Sequence, residues 1–244
     1  MTGYELLKEW RESDKLEDKI KLAKNGNEAD IDDLLKDPRW SQCKEIKKAA
    51  IILYGANLDK FVKDPDEDIR VAVASKWRSK DLDILVRDPS VKVRKEVAVY
   101  ADRSLDTKKY FDILVNDESP EVRAIVAEKV CYYGDQNNPY LDILVNDESA
   151  DVRAIVARYA VKKYLDQLVN DPSEKVRAAV AWWGRRPKDL NKLVKDPSPL
   201  VRKTVAMQGR DRNLEKLIND PDADVRHTAC EKVREKDLEN LKKL

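Results

Sequence analysis

Histidine is nearly absent: the 244-residue chain has one, His227, beside six glycines, two methionines and three cysteines. A Ser-His-Asp or Cys-His device would have to be built on His227 alone, and its place after an Arg on a predicted helix reads as a surface imidazole. Cys43, Cys131 and Cys230 are odd in number and far apart. With no CxxC or CxxxC pair, a local zinc or iron–sulfur site is excluded, and three reduced thiols are the expectation. No phosphate-cradling Gly loop, HExxH or nucleophile elbow occurs. No catalytic residue, cofactor or metal ligand is therefore nominated, and an enzyme is not the expected class. No run of about 18 apolar residues is present, so no spanning helix and no membrane partner are expected. The opening MTGYELLKEWRESDKLEDK lacks an apolar signal core, which gives a cytoplasmic expectation.

Charge and repetition are abundant instead. Lys and Arg total 48 and Asp and Glu 47, with mean hydropathy −0.68. One line recurs: FVKDPDEDIRVAVA, LVRDPSVKVRKEVA, LVNDESPEVRAIVA, LVNDESADVRAIVA, LVNDPSEKVRAAVA, LVKDPSPLVRKTVA, LINDPDADVRHTAC. Its Arg residues are spaced by 24, 29, 30, 24, 25 and 24. Two degenerate units, around Lys19 and Lys47, precede them. Residues 111–127 and 141–157 match at 14 of 17 positions, the mark of a duplication.

Each line has a physical reading. Two residues after its Asp stands Asp66, Ser90, Ser119, Ser149, Ser173, Ser198 or Asp222, a residue type that caps a helix N-terminus. Pro120 and Pro199 follow two of these, where the first helical position accepts proline. A helix of about 12 residues is predicted. Apolar residues one before the Arg and three, four and seven after it form one face. The following LDILV-type turn leaves room only for a short element. No unit buries its stripe alone, so units must stack. The prediction is an all-α solenoid, a superhelix of about nine 24–30-residue units, each one α-helix plus a short α or 3₁₀ turn. Residues 1–16 are expected to form a capping helix and 17–244 a single repeat domain.

The unit LxxLVxDPSxxVRxxVA, with LAKNGNEADIDDLLKDP at Leu22–Pro38, resembles the leucine-rich repeat variant family. The two longer units are similar to short HEAT-like repeats of the bilin-lyase type. The resemblance implies an α-helix paired with a short 3₁₀ helix in each unit. The family's described member carries a Cys-ligated iron–sulfur cluster ahead of its repeats. No Cys precedes Cys43 here, so that feature is not carried over. HEAT-like proteins also form ladders from a similarly spaced Asp–Arg pair, with each carboxylate bridging its own and neighbouring units. That implies a structural role for Asp64 and Arg70, Asp88 and Arg94, Asp117 and Arg123, Asp147 and Arg153, Asp171 and Arg177, Asp196 and Arg202, and Asp220 and Arg226. HEAT-like folds also host alkylpurine DNA glycosylases, but no motif here matches theirs.

Function is expected at the positions that do not repeat. Five and nine residues after the Arg, the helix should face away from its apolar stripe; Trp182 and Arg186 are one such pair. Residues 151–212 hold 15 Lys and Arg against 7 Asp and Glu. Candidate partner-binding residues there are Arg158, Tyr159, Lys162, Trp182, Trp183, Arg185, Arg186 and Arg210. Tyr132 and Tyr133, beside the GDQNNP insertion, join them. The expected function is a macromolecule-binding scaffold with an unidentified protein partner. The alternative is a nucleic-acid-binding module that uses the basic stretch for phosphate contacts and aromatic stacking.

Overall fold

A computed structural model describes residues 2–54, 58–101, 107–132, 138–159, 162–183 and 186–241. Among these are seventeen α-helices, one 3₁₀ turn and no strand. The fold is an all-α repeat solenoid. Backbone proximity divides the chain into two compact units, Met1–Leu114 and Val115–Leu244.

The first unit begins with α1 (Gly3–Glu12), whose N-terminus is closed by a capping box between Thr2 and Glu5. This helix packs on α2 (Leu16–Asn25). Then come α3 (Glu28–Lys36), α4 (Lys44–Tyr54), a 3₁₀ turn (Leu58–Lys60), α5 (Glu67–Ala74), α6 (Ser79–Leu85), α7 (Val91–Tyr100) and α8 (Thr107–Leu114). The second unit contains α9 (Pro120–Tyr132), α10 (Tyr140–Leu144), α11 (Ala150–Arg158), α12 (Lys162–Leu168), α13 (Glu174–Trp183), α14 (Pro187–Leu193), α15 (Pro199–Met207), α16 (Asp211–Leu217) and α17 (Ala223–Leu241). Long helices pack on the long helices before and after them: α2 on α4, α4 on α5 and α5 on α7 in the first unit, and α9 on α11, α13, α15 and α17 in succession in the second.

The apolar stripe explains this packing. Val152, Val176 and Val201, one before the Arg, and Val156, Val180 and Val205, three after it, have essentially no accessible surface. Four after the Arg stand Ala157, Ala181 and Ala206, equally buried. These small residues let neighbouring helices approach closely. The short helices add paired leucines, such as Leu165 with Leu168 and Leu190 with Leu193. Each fully buried Val or Leu contributes about 1.5–3 kcal/mol of transfer free energy.

Most long helices are shorter than the predicted 12 residues: α5 has 8, α11 and α15 have 9, and α13 has 10. For α5 and α15 the position seven after the Arg marks the stop. Gly209 takes φ of 64° there, and Trp77 takes φ of 53°. A left-handed residue ends a helix, at no steric cost for glycine but at about 1–2 kcal/mol for an L side chain. Where this position is Val130 or Val233 the helix runs on, through Tyr132 in α9 and through Leu241 in α17. A β-branched residue strongly resists the left-handed region. In consequence the position nine after the Arg usually lies on the next short helix or its edge, not on the outer face predicted for it. Ser79, Lys162 and Asp211 each open one.

The caps also depart in part from expectation. Asp66, Ser149 and Asp222 accept backbone N–H groups of their own helices. Ser90 and Ser198 make no such bond. Their hydroxyls donate across to Glu67 (2.6 Å) and Glu174 in the preceding units.

The Asp–Arg motif is wired differently from a pair closed within one unit. Arg153 Nη1 donates to the carbonyl oxygens of Asp147 and Glu148, at 2.6 and 3.1 Å. Its Nε and Nη2 donate in parallel to the carboxylate of Asp171 in the next unit, at 2.7 and 2.9 Å. Asp171 also accepts the Ser173 N–H at 2.8 Å. The same fork joins Arg70 to Asp88, Arg123 to Asp147, Arg177 to Asp196 and Arg202 to Asp220. The Asp and Arg six residues apart therefore meet through the Asp carbonyl, and the carboxylates of Asp88, Asp147, Asp171, Asp196 and Asp220 face the Arg of the unit before. Lys47 makes a lysine version, reaching one oxygen of Asp64 at 2.7 Å. The two groups in each fork are largely buried.

Removing one partner of a buried pair costs about 3–5 kcal/mol because the other charge stays behind. Asp171→Ala should lower the melting temperature by at least about 5 °C, whereas Lys163→Ala, which breaks an exposed pair, should move it by about 1–2 °C; thermal unfolding followed by circular dichroism checks both.

The Arg202 fork holds the Asp220 carboxyl below its usual range, against the opposing effect of burial. A folded-state pKa below the unfolded one gives stability that is complete above the unfolded value near pH 4 and lost as pH falls through the folded value. The melting-temperature gap between the wild type and Asp220→Asn should therefore be full at pH 7 and shrink below about pH 4.

Candidate interaction rim

The C-terminal ends of α11, α13 and α15 bring the non-repeating aromatics together. Tyr159, Trp182 and Trp183 are 38%, 47% and 39% exposed, and Met207 is also exposed. The Arg158 guanidinium lies 5.3 Å from the Trp183 ring centre and 5.9 Å from that of Tyr159. This stacking holds the end of α11 against the end of α13. One unit further on, the Gln208 side chain donates to the Trp182 carbonyl at 3.2 Å. The same register recurs where Lys76 donates to the Ile52 carbonyl at 2.8 Å. In each case a side chain six after the anchoring residue meets the residue five after it in the unit before. This helix-end contact thus occurs in each compact unit, and in the second it involves Trp182.

The remaining nominated residues separate. Tyr132 is exposed at the end of α9. Lys162 opens α12; its side chain, Tyr133 and Arg185 lie outside the described residues. Arg210 flanks α16 as its N-cap residue.

Arg186 is not an outward-facing cation. Its Nε and Nη2 fork onto Asp189, at 2.6 and 2.9 Å, and Nη2 also reaches Asp166 in the preceding short helix at 2.9 Å. Asp189 is almost fully buried. Arg78 does the same with buried Asp81 and with Asp59.

These contacts belong to a second ladder that sequence reading missed. It runs along the short helices: Lys80 to Asp59 at 2.9 Å, Lys109 to Asp83 at 2.6 Å, Lys163 to Asp142 at 2.8 Å and Lys188 to Asp166 at 2.7 Å. Its signal is present as the recurring SKDLDIL, KKYFDIL, KKYLDQL and PKDLNKL. The ladder also bears on the basic stretch. Lys163, Lys175, Arg186, Lys188 and Lys203 each have a carboxylate partner in this chain, Asp166 serving two of them.

Burial pushes the Cys131 thiol up to about 12, so it stays protonated at neutral pH. His227 lies exposed on α17, 3.2 Å from Glu231. Among the described residues no group of three or more His, Cys, Asp or Glu could hold a metal, and no helix is long and apolar enough to cross a membrane.

A solved structure described as a leucine-rich repeat variant with a novel repetitive structural motif superposes with a TM-score of 0.65. It is 25% identical and covers 91% of this chain and 88% of its own. This chain has the leucine-rich repeat variant fold. A second solved structure, described as YibA of E. coli, matches more loosely, with a TM-score of 0.47, 18% identity and coverage of 91% and 98%. No family model and no curated protein sequence matches the chain. In this fold, then, the two ladders and the buried stripe are scaffold, and the rim is where the units stop being alike.

Replacing Arg186 by Ala leaves Asp189 buried without its fork and should destabilise the chain by about 3 kcal/mol or more. Arg158→Ala removes a half-exposed stacking contact worth about 0.5–1 kcal/mol. Denaturant midpoints of the two variants, compared with the wild type, should separate accordingly.

Proposed function

We propose that this repeat scaffold binds a protein partner through the rim formed by Arg158, Tyr159, Trp182, Trp183 and Met207. The observation that carries the reading is the placement of two indoles, a phenol and a thioether, each more than a third exposed, on consecutive units. Aromatic side chains and Arg are enriched at binding hot spots, since they bring large contact area with little conformational freedom to lose. Apolar groups gathered on consecutive units form a patch, unlike single exposed residues scattered over a surface. The scaffold holds the patch rigid from beneath: Val180, Ala181, Val205 and Ala206 are buried under it.

A protein partner is favoured over nucleic acid by the pairing of Lys163, Lys175, Lys188 and Lys203 with carboxylates of this chain. A phosphate backbone would have to displace those carboxylates, whereas an apolar protein surface would not.

Trp182→Ala and Trp183→Ala should keep the wild-type circular dichroism spectrum, with Trp183→Ala also losing the stacking contact with Arg158, worth about 0.5–1 kcal/mol. In quantitative cross-linking from cell extract, each should lose the partner that the wild type retains, as expected for a hot spot worth about 2 kcal/mol or more. In parallel, single-stranded and duplex oligonucleotides should not bind at 50 mM salt, about the low end of the range where phosphate contacts are strongest. Oligonucleotide retention that falls steeply with salt, together with wild-type cross-linking by both variants, would replace this reading with the nucleic-acid one.

A further inference from the structure

Among the described residues, the short helix α16 is followed by an exposed apolar side chain where the other short elements are followed by a buried one. Ile218 follows its Leu214 and Leu217 at the place held elsewhere by Val62, Val86, Val115, Val145, Val169 and Val194. Those six valines are 1–6% exposed, and Ile218 is 37% exposed. Beside it lies a groove of about 530 Å³ lined by Glu215 and Ile218 on one side and Val233 and Lys236 on the other.

The chain also contains the element that fits. Arg78, Arg186 and Arg210 each precede a seven-residue helix with Lys or Arg second, Asp or Asn third, and Leu fourth and seventh. Arg234 precedes Glu235, Lys236, Asp237, Leu238, Glu239, Asn240 and Leu241, the same pattern. It begins nine residues after Arg226, as α16 begins nine after Arg202. In the short-helix ladder the Lys of one helix pairs with the acid that follows the first Leu of the helix before, as Lys188 does with Asp166. By that register the partner of Lys236 is Glu215. Instead Lys236 pairs with Asp211, and among the described residues Glu215 forms no ion pair.

Residues 235–241 do not break away because of Val233. It occupies the position where Trp77 and Gly209 turn left-handed, and a β-branched residue strongly resists that conformation. After Val130, which also keeps its helix running, residues 133–139 separate α9 from α10. After Val233 the pattern resumes two residues later, with no such spacer. Closing the groove within one molecule therefore lacks both the turning residue and the slack.

We propose that residues 235–241 fill the Ile218 groove of a second copy of this chain in a reciprocal exchange, with Lys236 of one protomer pairing with Glu215 of its partner. Exchange of an identical element gives a two-fold dimer, and a hinge that cannot close favours it. The occupant is specified by charge as well as shape, since the groove offers a carboxylate at the register where the entering helix carries a cation.

Light scattering on eluting full-length chain, from micromolar to near-millimolar concentration, tests this. The wild type should show a dimer that grows with concentration. Ile218→Asp damages the groove and Leu238→Asp damages the entering element, so each alone should be monomeric with an unchanged circular dichroism spectrum. An equimolar mixture of the two retains one sound groove and one sound element and should regain a dimer. Val233→Gly supplies the missing turn and should be monomeric where the wild type is dimeric. A wild type that is monomeric throughout, or a dimer that survives both Asp substitutions, overturns the proposal.

Discussion

Within each compact unit, a recurring guanidinium ties one repeat to the next. It donates backward to the carbonyls that open its own helix and forward to a carboxylate 18 to 24 residues away. An isolated unit would leave its Arg without the forward acceptor and its Val–Val–Ala stripe in water. Stacking satisfies both at once. The planar fork suits this work better than an ammonium, as the lysine version at Lys47 illustrates by reaching one carboxylate oxygen where Arg reaches two. Buried ion pairs of this kind add little net stability over apolar packing, but they penalise every other register heavily. The ladder therefore specifies how units align, and the apolar stripe drives them together.

The solenoid and most of its core were legible in the sequence because they repeat. Val at minus one and plus three and Ala at plus four recur in a fixed frame, and the structure buries them. The wiring of the ladder was harder to read: the nearest Asp in sequence is six residues away, and nothing local reveals that its carboxylate is already held by the unit before. The short-helix ladder was obscured for the related reason that Lys80, Lys163 and Lys188 look like ordinary surface cations until their partners 21 or 22 residues earlier are placed beside them.

Helix ends were the least legible feature. Periodicity predicted a uniform length, but backbone handedness at one position separates α5 and α15, which stop there, from α9 and α17, which run on. Trp77 illustrates the difficulty, since a Trp is an improbable left-handed residue on steric grounds and yet it holds φ of 53°. The candidate rim was legible as a set of residue types but not as a surface. Trp182 and Trp183 were read as exposed and half-exposed from their angular positions. That Arg158 lies over Trp183 depends on α11 and α13 ending side by side, and that Arg186 turns inward depends on a buried Asp189.

Because every rung reaches in the same direction, the array has a polarity. A module copied whole into its interior arrives with an acceptor for the Arg behind it and a donor for the Asp ahead, so no bond is orphaned by the insertion. The near-identical stretches 111–127 and 141–157 look like the imprint of such an event. Length is then a quantity that ordinary gene duplication can change one module at a time, and the side chains at the helix ends are free to diverge afterwards without disturbing the joints.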